Sequence, residues 1–202
     1  SLTPTMVYTD STIEVIPQYS DADTTQTVTG VIEWHVVDSL TGSDNIVQTG
    51  TTTTLDGSHY NKGDLVYATI TPNDGIEDGL PVTTSSIEIL NSTPYWNEVP
   101  TISGTPVANS TVVCEGEALD LDDGTITIQY AWTLTDGTVL SNTPNLLVDT
   151  SIAPPGETIE CTITATDSDG ASISASTSST VQNTLSTVVA SLTPTMVYTD
   201  ST

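Results

Sequence analysis

Apolar and polar residues alternate with a period of two along parts of the second half of the chain. Apolar side chains occupy every second position from Ile126 to Leu134 and again from Ile159 to Ala165, with mostly Thr, Gln and Glu between them. Successive side chains of a β-strand point to opposite faces, so each run predicts a strand with one buried and one exposed face. Trp132 and Cys161 lie on the apolar side of these strands and are predicted to point inward.

Turn-forming residues separate the predicted strands. Asp-Gly pairs begin at Asp56, Asp74, Asp123, Asp136 and Asp169. Such pairs favour tight turns, and no stretch of the chain has the periodicity of a helix. Thr, which is β-branched and suits exposed strand faces, dominates the polar positions, whereas Phe is absent. The pattern predicts an all-β protein.

The two halves of the chain carry the same landmarks in the same order. The segment around Trp34 corresponds to that around Trp132, and Gly63–Ile70 corresponds to Gly156–Ile163. We therefore predict two related antiparallel β-sandwich domains in tandem, each with one of these tryptophans in its core.

The chain also repeats itself at a longer distance. Residues 191–202 are identical to residues 1–12, an offset of 190 residues. An identical stretch of this length indicates a tandem repeat, so we expect an excerpt of a longer array with this period. The predicted divisions are domain 1 at residues 1–93, domain 2 at residues 94–188, and the start of the next repeat at residues 189–202. In the alternative interpretation, residues 191–202 are a donor strand that completes a separate subunit, as in some pili.

Charge excludes several classes of partner. Lys62 is the single basic residue against 26 acidic ones, which gives a net charge of −25. Such a chain cannot neutralise phosphates, so we expect no binding to nucleic acid or to anionic membrane surfaces. No apolar run approaches the roughly 18 residues of a membrane span, so we expect no membrane insertion by this segment. An acidic, Thr-rich composition is typical of an extracellular or cell-surface protein, where mutual repulsion keeps units apart.

Cys114, Trp132 and Cys161, spaced by 18 and 29 residues, resemble the pattern of the immunoglobulin-like (Ig-like) sandwich. In that fold a disulfide between strands B and F spans the two sheets, and a Trp on strand C packs against it. The resemblance implies a Cys114–Cys161 disulfide, with two buried free thiols as the alternative. In the first half, Val15 and Ala68 occupy the corresponding positions.

The residue two positions before the second Cys distinguishes the chain from antibody-type Ig domains. Antibody-type domains carry a tyrosine two residues before the second Cys, and that position is Ile159 here. The residues Ala165–Gly170 and the linker Asn91–Pro94 resemble the Ig-like, cadherin-like and PKD-like repeats of large microbial surface proteins. This resemblance implies a stalk, adhesin or filament module without catalytic residues.

Acidic residues concentrate in loops that a sandwich of this topology places together at one end of a domain. Ca²⁺ takes six to eight oxygen ligands, and our hypothesis is that calcium stiffens the domain junctions. The alternative is that Asp is simply favoured, and solvated, in Asp-Gly turns. No other cofactor is indicated. The candidate ligands are Asp120, Asp122, Asp123, Asp167 and Asp169 in domain 2, and Asp21, Asp23, Asp74, Glu77 and Asp78 in domain 1.

The chain offers few groups for catalysis. It has two His, one Lys and no Arg, and it lacks the common hydrolase motifs. We predict that His35 and His59 are ordinary surface residues. Lys62 is the only side-chain amine available for an amide cross-link to Asn, but it lies in a loop and has no counterpart in the second half, so we predict that it is solvated. The chain is therefore predicted not to be an enzyme.

Three further residues are singled out by local motifs. Asn91 and Asn109 each begin an Asn-Ser-Thr sequon and are candidate N-glycosylation sites. Trp96 lies in the predicted linker, where it is expected to pack between the two domains. The alternative for Trp96 is an exposed platform on which a carbohydrate stacks.

The function predicted from these features is structural. We expect a repeat unit of an extracellular surface stalk or filament whose partners are further copies of itself, joined covalently and also laterally through Thr-rich strands. The alternative function is an adhesin segment that binds a glycan or a protein receptor.

Overall fold

The structure is a computed structural model that describes residues 1–22 and 26–191. The described residues form sixteen strands and one short 3₁₀ helix at Gly57–His59. The first nine strands are β1 (Leu2–Thr3), β2 (Val7–Tyr8), β3 (Thr12–Val15), β4 (Thr29–Val37), β5 (Asp44–Gly50), β6 (Thr54–Asp56), β7 (Leu65–Asn73), β8 (Val82–Thr83) and β9 (Ile87–Leu90). The others are β10 (Tyr95–Ser103), β11 (Thr111–Leu119), β12 (Thr127–Leu134), β13 (Val139–Ser141), β14 (Asn145–Leu147), β15 (Thr158–Thr166) and β16 (Ser172–Thr180).

The first sandwich consists of two sheets that share one core. The smaller sheet has the order β1-β3-β6, and the larger has the order β2-β9-β7-β4-β5, with β8 added on β7. In the larger sheet Trp34 of β4 lies opposite Ala68 of β7. Both belong to a single buried cluster with Ile13 and Val15 of the smaller sheet, so the two sheets pack face to face. Trp34 is fully buried, as the sequence predicted.

The second sandwich repeats this arrangement with one sheet of three strands and one of four. Their orders are β10-β11-β14 and β13-β12-β15-β16. The alternation read from the sequence is present in β15, where Ile159, Cys161, Ile163 and Ala165 are buried and the residues between them are partly exposed. Trp132 of β12 is also fully buried. The predicted all-β fold of two sandwiches in tandem is therefore confirmed; the strand pairings are antiparallel as predicted except for the short parallel pair of β2 and β9.

A disulfide joins the two sheets of the second sandwich. It connects Cys114 of β11 to Cys161 of β15, whose Cα atoms are 6.3 Å apart. In the first sandwich the corresponding positions of β3 and β7 hold Val15 and Ala68, both buried. Apolar side chains thus occupy, in the first core, the two positions that a disulfide links in the second.

The chain divides into two compact units that are not continuous in sequence. The first comprises the described residues of 1–99 together with 116–129 and 163–175. The second comprises 100–115, 130–162 and the described residues from 176 to 191. The domain limits read from the sequence, 1–93 and 94–188, stay a prediction.

Two details bear on the candidate sites. Trp96 lies within strand β10, so its assignment to a linker was wrong; the linker is shorter because the strand begins at Tyr95, directly after Pro94. Asp23 and the repeated segment 192–202 lie outside the described residues. Among the described residues, no helix has the length and hydropathy to span a bilayer.

Candidate functional site

Lys62 lies in a loop that is held in place from within. The loop connects the 3₁₀ helix to β7, and the buried Asp64 carboxylate accepts hydrogen bonds from the backbone N–H groups of Asn61 and Ser39, each at 2.9 Å. Gly63 has a φ of +86°, a conformation that favours glycine, and its N–H donates to the Ile89 carbonyl at 2.8 Å. The loop backbone is thereby fixed on both sides of Lys62.

The Lys62 ammonium group is surrounded by oxygen atoms. Its Nζ donates to Asp123 Oδ1 at 2.9 Å, to Asp169 Oδ2 at 2.5 Å and to Asn91 Oδ1 at 3.1 Å. The side chain is 26% exposed. The prediction that Lys62 is a solvated loop residue was therefore wrong, because two loops distant in sequence bring carboxylates to it.

Each of these acidic loops is also held in place by hydrogen bonds from its own Asp side chains to the backbone. In the loop between β11 and β12, Asp120 Oδ1 accepts from the N–H groups of Asp122 and Asp123 at 2.7 and 3.1 Å. In the loop between β15 and β16, Asp167 Oδ1 accepts from the N–H of Asp169 at 3.0 Å and from that of Ala171 at 2.8 Å. Asp favours such turns because its short side chain reaches the backbone two residues on.

Ser168 and Asn91 complete the arrangement, which we call the Lys62 cluster: Lys62, Asn91, Asp123, Asp167, Ser168 and Asp169. Ser168 donates through its N–H and its Oγ to Asp123 Oδ2, at 2.9 and 2.8 Å. Asn91 donates through Nδ2 to Asp167 Oδ2 at 2.9 Å, while its Oδ1 accepts from Lys62. All six residues belong to the first compact unit.

The electrostatics of the cluster favour the charged forms of Lys62, Asp123 and Asp167. Hydrogen bonds from Lys62 and then from Ser168 lower the pKa of Asp123 to about 2. The hydrogen bonds to Asp169 and Asp123 raise the pKa of Lys62 well above its usual range. The Asn91 side chain lowers the pKa of Asp167. The Lys62 ammonium ion and the ionised carboxylates of Asp123 and Asp167 therefore coexist at any pH between about 4 and 10.

The structure brings together three of the five calcium ligands predicted in domain 2. Ligand oxygens of Asp123, Asp167 and Asp169 lie within 4.8 Å of one another. These carboxylates already accept hydrogen bonds from Lys62, Ser168 and Asn91, so the cation of the cluster is the chain's own lysine. Asp122 is placed differently: its carboxylate accepts from Thr9 Oγ1 and from the Ser92 N–H.

The acidic residues predicted as ligands in domain 1 line a separate pocket. Asp21, Asp74, Glu77 and Asp78 border a cavity of about 350 Å³. Asp74 Oδ1 accepts from the N–H groups of Ile76 and Glu77 at 2.8 and 2.9 Å, which lowers the pKa of Asp74. Asp78 Oδ1 accepts from Asn73 Nδ2 at 2.7 Å. The fifth predicted ligand, Asp23, lies outside the described residues.

The two sequons have different surroundings. Both polar atoms of the Asn91 side chain are engaged in the Lys62 cluster, and the side chain is half-buried. Asn109 is exposed in the loop between β10 and β11, with a φ of +63°. Of the two, Asn109 is the position at which a glycan displaces no hydrogen bond shown by the structure.

His35 is less exposed than the sequence predicted. It lies on the face of β4 opposite Trp34, but its ring stacks on Tyr67 with centroids 4.4 Å apart, and its side chain is only 15% exposed. Nδ1 of His35 lies 3.2 Å from Asp44 Oδ1, and the Tyr67 hydroxyl donates to Asp44 Oδ2 at 2.5 Å. This bond raises the pKa of Tyr67 to about 12. The assignment of His35 as an ordinary surface residue was wrong, whereas His59 is half-exposed at the end of the 3₁₀ helix.

An aromatic cleft missed by the sequence analysis lies near β2 and β10. It has a volume of about 520 Å³ and is lined by Tyr8, Asp10, Ser92, Thr93, Tyr95 and Leu121. Tyr8 and Tyr95 are 36% and 44% exposed. Trp96, the predicted carbohydrate platform, is half-buried and is not among the lining residues.

No protein-family profile matches the sequence, and a comparison with curated proteins gives no match. Solved structures are similar in fold. The chicken interferon gamma receptor alpha chain matches with a TM-score of 0.51 and 13% identity, over 90% of this chain and 96% of the receptor chain. The likeness supports the Ig/fibronectin-type sandwich fold.

Two further structures match less well. Domains FN1–FN3 of chicken CNTN1 give a TM-score of 0.33 at 11% identity, over 90% of this chain and 66% of the other. A 1.5-MDa bacterial ice-binding adhesin gives 0.31 at 17% identity, over 85% of this chain and 56% of the other.

Proposed function

We propose that this chain is a structural repeat unit of an elongated extracellular stalk or filament, in which a pair of Ig-like sandwiches recurs every 190 residues. Its role is to provide length and spacing. The chain acts through folded sandwiches placed in series rather than through a reactive pocket.

The observation that carries this proposal is the position of the repeated segment in the fold. Residues 1–12 supply β1, β2 and the first residue of β3. Val7 is fully buried and Leu2 packs against the first core. An identical copy at residues 191–202 therefore has the side chains needed to begin the same sandwich again, which favours a covalent tandem array.

The chemistry of the second core supports an extracellular location. Disulfides form and persist in oxidising compartments and are rare in the cytosol. The Cys114–Cys161 bond lies in a fully buried core. Together with the acidic, Thr-rich surface, it favours secretion or display at the cell surface.

Among the described residues, the acidic ligand oxygens that lie within 4.8 Å of one another are those of Asp123, Asp167 and Asp169. Because Lys62 already binds there, the remaining candidate for calcium is the pocket lined by Asp21, Asp74, Glu77 and Asp78. In the Lys62 cluster the lysine already supplies a positive charge to the carboxylates, which therefore need no metal ion. Comparing melting temperatures with EDTA and with added CaCl₂ tests the pocket. Stabilisation by calcium that is lost on Asp74→Asn supports a site there, and identical melting in both buffers overturns it.

The first experiment on the proposed function is the mass of the native polypeptide after boiling in detergent and reductant. A species many times the mass of one period supports the covalent array. A single species close to one period contradicts it and favours separate subunits joined by strand exchange.

An adhesin segment is the second candidate function, and the aromatic cleft favours it. Exposed aromatic faces beside hydroxyl and carboxylate groups suit a neutral sugar, and the net charge of −25 disfavours anionic ligands. A glycan array probed with the chain and with Tyr95→Ala tests this candidate. Binding that the substitution removes supports an adhesin, and absence of binding to any glycan rules out the glycan-binding form of this candidate.

A further inference from the structure

A groove of about 370 Å³ opens beside Ser1 in the first sandwich. One wall is formed by Val15, the last residue of β3, and residues 16–20 after it. The other is formed by Ile70 and Pro72 of β7, by β8 and by Thr84. Apolar side chains at its border are poorly covered, since Ile16 is 58% exposed and Val82 is 63% exposed. The groove therefore lies where apolar side chains of the first sandwich are exposed to solvent.

Strand β1 ends just short of this groove. Its two residues pair antiparallel with β3, Leu2 opposite Val15 and Thr3 opposite Glu14. Continued in the same register, the position before Ser1 faces Pro17, and the two positions before that face Gln18 and Tyr19. A chain that preceded Ser1 would thus run along the groove wall as an extension of β1.

The repeat identifies the residues that occupy those positions in an array. Ser191 is the counterpart of Ser1, and it is preceded by Val188, Val189 and Ala190. In the structure Val188 and Val189 are 90% and 96% exposed. These apolar side chains are therefore free to pack against another surface.

We infer that residues 188–190 of one repeat extend strand β1 of the following repeat and fill the groove beside Ser1. The inference rests on the proposed tandem array and names the contact that joins successive repeats. The occupant is a second copy of this chain's own segment.

Backbone hydrogen bonding permits this extension. The Val15 N–H donates to the Thr53 carbonyl, on the side of β6. Because antiparallel strands alternate the side to which they bond, continuation of β3 in the same register would direct the backbone groups of Ile16 and Gln18 towards β1. Pro17, which has no N–H, falls at a position where none is needed on that side. Gln18 and Val189 then exchange two hydrogen bonds.

The side-chain pattern of the segment fits the groove. Side chains alternate along a strand, so Val188 and Ala190 lie on the same face as Leu2, which packs against the core. Val189 lies on the opposite face. Residues 182–190 carry no charge, so the contact adds no repulsion between repeats that are strongly acidic.

The test uses the full chain with a copy of residues 182–190 placed before Ser1. Burial of a Val side chain predicts that this copy raises the melting temperature by about 5 °C in calorimetry. Val188→Asp in the added copy removes the increase, whereas the matched Val189→Asp retains most of it. Hydrogen exchange of the Gln18 amide slows when the copy is present.

Three outcomes overturn the inference: no increase in melting temperature, equal losses for the two Asp variants, or unchanged exchange at Gln18. The proposed function fails separately. A native polypeptide of many periods combined with no stabilisation keeps the array and rejects this contact. A native polypeptide of one period rejects the array whatever the calorimetry shows.

Discussion

In the first sandwich Val15 and Ala68 occupy the positions that Cys114 and Cys161 occupy in the second, and all four side chains are buried. The strands that carry them hold equivalent places in the two pairs of sheets. The fold therefore does not require the disulfide, which acts on stability rather than on architecture. The Lys62 cluster differs from both cores because it is polar and consists entirely of loop residues. It belongs to the first compact unit.

Among the predicted changes, breaking the disulfide should have the largest effect on stability. Its sequence separation of 47 residues corresponds to about 4 kcal/mol in the chain-entropy model. Reduction, or a Cys114→Ala and Cys161→Ala double substitution, is expected to destabilise the second sandwich by about that amount. Urea unfolding followed by tryptophan fluorescence measures the loss.

Fluorescent reporters in the two cores provide the control. Trp34 reports the first core and Trp132 the second, since each is fully buried there. With Trp96 and one core Trp replaced by Phe, reductant should shift the Trp132 transition and leave the Trp34 transition unchanged. An equal shift of both transitions would show that the two cores unfold together.

Adding a disulfide to the first sandwich makes the reverse change. Val15→Cys with Ala68→Cys places the pair at the corresponding positions and is expected to stabilise the first core by about 2 kcal/mol, because engineered bridges usually deliver less than the entropy model gives. Melting with and without reductant measures the difference. Each single Cys variant is the matched control, and failure of the pair to oxidise would refute the equivalence of the two cores.

Replacing Lys62 should have a smaller effect, confined to the loops. Lys62→Met leaves Asp123 and Asp169 as like charges without their cation, so we expect a lower melting temperature. The carboxylates of Asp123 and Asp169, freed from the lysine, should then respond to calcium. In the unsubstituted chain we expect calcium to have little effect at this cluster. Calorimetry with EDTA and with CaCl₂ measures both effects.

Lys62→Arg is the matched control because it keeps the charge at this position. It should retain more stability than Lys62→Met and gain no response to calcium. If Lys62→Met melts at the temperature of the unsubstituted chain, the cluster contributes nothing measurable.

The contrast between cores and cluster also explains what the sequence could predict. Strands β12 and β15 were visible because alternation is a local property of neighbouring residues. The carboxylate partners of Lys62 lie 61 and 107 residues away along the chain, and no local pattern encodes such distances. The available signal was global: a single cation in a chain of net charge −25 is expected to attract carboxylates.

Two other errors have local causes. Trp96 was assigned to a linker because Pro94 and the polar residues Asn97 and Glu98 obscure the alternation of β10. The coverage of His35 depends on Tyr67, which is its cross-strand neighbour on β7. The sequence shows the face on which a side chain lies, but not which neighbouring side chains cover it.

The smallest expected effect is a dependence of the melting temperature on acidic pH, which arises in the Lys62 cluster and not in the apolar cores. Asp123 has a pKa of about 2 in the folded chain, below the value of about 3.9 of an unperturbed Asp. A depressed pKa contributes stability that is fully present above about pH 4 and is lost as the pH falls towards 2. Asp123→Asn should therefore flatten the fall in melting temperature over this range.

Lys62 is the largest cause of the shift in the pKa of Asp123, which gives the control for this prediction. In a Lys62→Met background, Asp123→Asn should change the acid dependence much less than in the unsubstituted chain, because the hydrogen bond that lowers the pKa is already absent. Asp136, an exposed turn residue whose pKa is lowered chiefly by hydrogen bonds from Thr138, serves as a comparison site outside the cluster. If Asp123→Asn has the same effect in both backgrounds, the acid dependence arises from Ser168 rather than from the lysine.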